Sequence, residues 1–181
     1  MLEKTIFVLH FVASAIALGS VAASDFLHFK GLKNHKIEKK ILSIYSYFSQ
    51  FIFICLGFII LTGGIMLYNK PSLLNNSFFQ LKMILVFIII INGIFLNYRI
   101  SPQLEKNIKK NHPPKTTKKL ILESSLFGSI SIISWLGVFI LAFTKDFGYS
   151  VFNFISVYWV SIMVAFLISY FYQMNSHLVK N

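Results

Sequence analysis

Side chains able to do chemistry interrupt the apolar sequence at few places, and those places fall in two layers. One layer holds His10, Lys82 and Met66. The other holds Asp25, His28, Gln50, Asn97, Arg99 and Glu123, and Asn92 sits between the two. An imidazole and a thioether are common axial ligands of a haem iron, and a lysine ammonium can pair with a propionate or handle a proton. His10 and His28 are 18 residues apart, five helical turns, so they share an azimuth but stand about 27 Å apart along the axis. They cannot hold one metal or one haem together. No further histidine falls inside the other apolar stretches, which leaves His10 with Met66, or His10 with a partner chain, as the ligand set for haem b.

Each of these residues also has a purely structural reading. His10 can be a neutral imidazole bonded to a serine or a carbonyl, Lys82 can snorkel to the headgroups, and Met66 can be one more apolar residue. Asp25 is expected to pair with Arg99 or Lys30, and Asn92 to bond across helices. Soluble catalytic motifs are missing: the chain has no phosphate loop, no HExxH, no paired cysteines and no nucleophile elbow. The lone Cys55 allows no intrachain disulfide and reads as packing. No metal site is expected.

Five apolar stretches must position these groups, at about 5–29, 43–68, 78–100, 124–144 and 150–172. Each can cross ~30 Å of hydrocarbon as a helix, which takes ~20 residues. The predicted fold is all-α, a single domain over 1–181 made of five transmembrane helices. The first stretch is read as a retained helix and not a cleaved signal, because its positive cluster follows the apolar run. The four prolines fall between the stretches, so unkinked helices are expected.

Lysine and arginine crowd into the segments 30–42 and 101–123, and by the positive-inside rule these are cytoplasmic loops. The N-terminus is then outside and the C-terminus cytoplasmic. The longer loop reads as a linker with helical extensions at each end. The formal charge of +11 raises nucleic acid as a partner. Basic residues confined to short loops beside membrane helices favour anionic lipid of the cytoplasmic leaflet instead, and no nucleic acid is expected.

Spacing of small and polar residues predicts which helix faces meet protein. In the second stretch Ser43, Ser46, Gln50, Gly57 and Gly64 form one seam. Ala13, Ala17, Ser20 and Ser24 form a ridge in the first, and Ser124, Gly128, Ser131, Ser134 and Gly137 another in the fourth.

The opening LHFVASAIALGSVAASDFLHFK resembles the first helix of the HemJ-type protoporphyrinogen oxidases and the CopD-like membrane proteins, and LTGGIMLY and FFQLKMILVFIIIING resemble the second and third HemJ helices. The likeness spans residues 4 to about 104. SDFLHFK and IINGIFLNYRISPQL look closer to small bacterial membrane proteins related to that group. The resemblance implies a bacterial inner-membrane protein, with His10 in the place of the family's first-helix histidine and Lys82 in that of its third-helix lysine, the residues tied to haem binding and activity. Where the family carries a further histidine late in helix 3, this chain has Asn92; where an arginine-bearing segment follows helix 1, it has Asp25 and a lysine-rich loop.

Two functional expectations follow. In the redox reading, His10 ligates haem b, Lys82 serves a propionate or a proton, and electrons pass to or from a quinone or a porphyrin. In the transport or accessory reading there is no cofactor: His10 and Lys82 line an outer vestibule, Asp25, Gln50 and Asn97 line an inner one, and Asn92 marks the path between. The unpaired histidine makes a homodimer a further expectation.

Overall fold

The computed structural model describes residues 2–33, 39–103, 114–143 and 150–178, with most of their side chains. They form α1 (Leu2–Lys33), α2 (Lys39–Asn69), a 3-10 turn (Pro71–Asn75), α3 (Ser77–Phe95) continuing through a π-helical turn (Leu96–Ile100), α4 (Pro114–Leu141) and α5 (Val151–Leu178). Among the described residues, five helices are long and apolar enough to cross a membrane. The protein is an all-α membrane bundle.

The helices outrun the apolar stretches, mostly at the lysine-rich end. The largest difference is α4, which begins ten residues before the expected 124. Pro114 supplies its first residue, where a missing N–H costs nothing, and the polar run after it continues the helix outside hydrocarbon. The other departure is the π turn in α3. Ser101 donates its N–H to the Leu96 carbonyl five residues back. Pro102 follows, and a proline inside a helix has no N–H to donate and crowds the carbonyl four residues before it, here that of Tyr98. The widened turn sets the azimuths of Asn97 and Arg99.

At the opposite end α3 has a firm start. Asn76 Oδ1 accepts from the backbone N–H groups of Phe78 (2.9 Å) and Phe79 (3.2 Å), and Pro71 opens the 3-10 turn before it. This cap fixes the depth of Lys82. Glu3 and Lys70, 3.7 Å apart and both exposed, tie the start of α1 loosely to the same region.

In the packing, α1 lies along α2, and α4 lies against α3, α5 and α1. The stretch of α4 that crosses the membrane is 44% buried, against 11–22% in the other four, so α4 is the central helix. Ala17 and Val21 of α1, Cys55, Leu56 and Ile59 of α2, Leu85 and Ile89 of α3, Trp135 and Val138 of α4, and Tyr158 and Ile162 of α5 form one core. Between α4 and α5, the buried Gln173 amide donates to Ser125 (2.8 Å) and Ser169 (3.1 Å) and accepts from Ser124 (3.2 Å). Higher in the same seam the Ser134 and Tyr158 hydroxyls bond at 2.9 Å.

The expected seam of α2 faces the wrong way. Ser46, Gln50, Gly57 and Gly64 are exposed, and a Cβ on either glycine would meet nothing within 4 Å; the Ser43 side chain lies outside the described residues. The face that packs is the one carrying Cys55, Leu56, Ile59 and Thr62. The α1 ridge does enter the core through Ala17 and Ser20. The α4 ridge divides: Ser124, Ser134 and Gly137 are buried, Ser131 is half-buried, and a Cβ on Gly128 would meet open space.

Candidate functional site

His10 lies one face of α1 against α2, where the LTGG segment receives it. Its Nδ1 is 2.9 Å from Thr62 Oγ1. The Thr62 hydroxyl has one proton, and the Phe58 carbonyl, 2.6 Å away on the preceding turn, is its nearest acceptor. His10 Nδ1–H is therefore the donor to Thr62, on the network's assignment of protons. The Ile59 carbonyl on α2 also bonds the ring, and in this tautomer Nε2 keeps its lone pair. Gly63 lies beside the ring: a Cβ there would touch His10 Cε1 at 3.4 Å. Behind His10, the Ser14 hydroxyl bonds back to its carbonyl at 2.8 Å.

Lys82 reaches this region from α3. It is half-buried and lies within electrostatic reach of His10, and it has no ion-pair partner among the described residues. An ammonium within a membrane span is expensive to leave unpaired, so its place beside an imidazole with a bare nitrogen makes this the strongest candidate site. Met66 is half-buried one turn beyond Thr62 on the same face of α2. No group of three or more His, Cys, Asp or Glu side chains is placed to hold a metal ion among the described residues.

The second layer does not form one cluster. Arg99 takes Glu123 as its partner at 3.7 Å and not Asp25, and its guanidinium stands 4.9 Å above the Phe95 ring. Asp25 is half-buried in α1 and makes no ion pair with the described residues; the side chains of Lys30 and His28 lie outside them. Asn97 Oδ1 accepts from the Ser49 hydroxyl at 3.1 Å, one of the few bridges between α3 and α2. Gln50 is on the exposed face of α2.

Asn92 is buried against α4 and donates from Nδ2 to the Phe127 carbonyl at 3.0 Å, the interhelical bond its type suggests. Its Oδ1 has no hydrogen-bond partner among the described residues.

Thr62 and Gly63 escaped the sequence reading because LTGGIM presents as generic packing glycines. The available signal was a hydroxyl and a glycine at adjacent positions, one helix away from the only histidine in the upper layer. Gln173 escaped because it lies just beyond the apolar stretch 150–172. No family model, curated protein or solved structure matches the chain.

Proposed function

We propose that the protein is a bacterial inner-membrane redox protein that binds haem b through His10, in the wider group of the HemJ-type and CopD-like proteins. The observation that carries the reading is the Nδ1–H bond from His10 to Thr62. Iron-binding histidines almost always donate the opposite ring N–H to a protein acceptor, which fixes the ring and keeps the ligating nitrogen unprotonated. Haem also suits a site poor in protein ligands, because the porphyrin fills four positions of its iron.

His10 Nε2 would face the iron, and Thr62 would hold the ring in plane. Met66, or a residue of a second copy in a homodimer, would be the other residue that holds the haem. Lys82 would pair with a propionate or hold the proton that accompanies electron transfer, and is the residue assigned the catalytic part. The bound haem supplies a one-electron centre. Its partner would be a quinone or a porphyrin reaching the bundle from the membrane. The lysine-rich loops would face the cytoplasm and its anionic lipids, with the N-terminus outside.

Absorbance spectra of protein purified after haem-replete expression test this. A b-type Soret band that is lost in His10→Ala and kept in Lys82→Gln is expected. Colourless wild-type protein would overturn the reading.

One pair of observations favours the cofactor-free transport reading. Among the described residues Asp25, in a membrane span, has no ion-pair partner, and Asn92 Oδ1, deep in the bundle, has no hydrogen-bond donor. Against it, the exposed Gln50 takes no place in an inner vestibule, and Asn97 is engaged by Ser49.

A further inference from the structure

At the lysine-rich end, two cations share one carboxylate oxygen. Arg99 Nη2 is 3.7 Å and Lys119 Nζ 4.0 Å from the same Glu123 Oε1. Charge-assisted hydrogen bonds close at about 2.7–2.9 Å, so neither cation is fully engaged. The three side chains together carry one positive charge. The remaining donors of the guanidinium and of the ammonium have no partner among the described residues.

The arrangement is nonetheless ordered. Phe95 and Phe127 stack at 4.3 Å across the seam of α3 and α4, and the guanidinium stands over Phe95. Arg99 owes its azimuth to the π turn, and Lys119 follows from the extension of α4 beyond its apolar part. A planar fork held over an aromatic floor loses little freedom when it binds an oxyanion.

Depth identifies the anion. Arg99 lies just inside the end of the third span (Ser77–Gln103), and Lys119 just before the fourth (Leu122–Leu141), which is the level of lipid headgroups. On the bilayer side of this level, Ile91, Ile94, Leu122 and Leu126 are exposed apolar residues of the same two helices. A ligand with a phosphate at the height of Arg99 and an acyl chain along α3 and α4 meets both surfaces.

We propose that Arg99 and Lys119 form a binding site for the phosphate of one anionic phospholipid, whose chains lie along the exposed faces of α3 and α4. Glu123 orients the two cations and, by its charge, limits the affinity. The site is separate from His10 and Lys82, and it stands or falls without reference to haem.

Native mass spectrometry of the delipidated full-length protein tests it, with phosphatidylglycerol, phosphatidylcholine of the same chains, and inorganic phosphate as probes. Wild-type protein should retain one phosphatidylglycerol in preference to phosphatidylcholine, and inorganic phosphate should not displace it. Removing both cations in Arg99→Gln/Lys119→Gln should weaken retention by about fivefold per cation. Lys70→Gln, at the opposite end of the bundle, should bind as wild type. Glu123→Gln should bind more tightly, a gain that loss of fold cannot mimic. Equal retention of the two lipids, displacement by inorganic phosphate, an unaffected double variant, or a Glu123→Gln protein that binds no better would each overturn the proposal.

Discussion

The bond between His10 and Thr62 can be measured by itself, because its two ends are not equivalent. In Thr62→Val the imidazole loses its hydroxyl acceptor in a half-buried place and keeps only the Ile59 carbonyl. In His10→Leu the Thr62 hydroxyl loses nothing essential, since the Phe58 carbonyl 2.6 Å away still takes its proton. The interaction should therefore be borne mostly by the valine variant. Interhelical hydrogen bonds in membrane proteins average about 0.6 kcal/mol and reach about 1.7 kcal/mol. At 2.9 Å, and with the acceptor oxygen polarised by its own donation to a carbonyl, this one belongs in the upper half of that range. A double-mutant cycle of Thr62→Val and His10→Leu, read by reversible unfolding in mixed detergent and SDS micelles, should give a coupling of about 1 kcal/mol. Thr62→Ser should recover most of it. A coupling below about 0.3 kcal/mol would refute both the assigned tautomer and the part Thr62 is given in holding the ring.

Glycines at two depths of packing should answer alanine differently. A Cβ on Gly137 would stand 3.1 Å from Leu85 Cδ1 and 3.5 Å from Phe154 Cζ, with Leu85 itself buried, so Gly137→Ala should cost about 1–3 kcal/mol. Gly57→Ala and Gly64→Ala, with open space at both, should stay within about 0.5 kcal/mol of wild type in the same unfolding assay; equal effects at all three positions would contradict the packing. Asn92→Leu should leave stability unchanged or raise it by up to about 1 kcal/mol, because it trades one hydrogen bond for relief of the orphaned Oδ1. A loss above about 1 kcal/mol in that assay would mean that Oδ1 has a partner in the folded protein.

The spans were legible because hydrocarbon thickness acts on every residue of a helix at once, and no local detail can cancel twenty apolar side chains. Azimuth was not legible in the same way. Lipid accepts small residues nearly as readily as protein does, so the spacing of Ser46, Gln50, Gly57 and Gly64 marks a face without saying what it meets. The face that packs is recognised only once His10 is seen to bond Thr62 and to lie beside Gly63. The choice of Glu123 over Asp25 as the partner of Arg99 likewise depends on the π turn, an offset of one residue that periodicity does not carry. His10 and Lys82 were singled out from type and depth alone, which are properties a sequence does record; their shared surroundings required coordinates.

The enclosure of α4 has a consequence for how this chain tolerates polarity. Where a helix is covered by its neighbours it is dissolved in protein and not in lipid, so the buried hydroxyls of Ser125, Ser129 and Ser134 each find an oxygen or a proton. The same three residues transplanted to outward positions of α5 would have only acyl chains for company. Three helices, α1, α3 and α5, thus act as a private solvent for the packed sides of α4, where the permissible chemistry is set by neighbours before it is set by the bilayer.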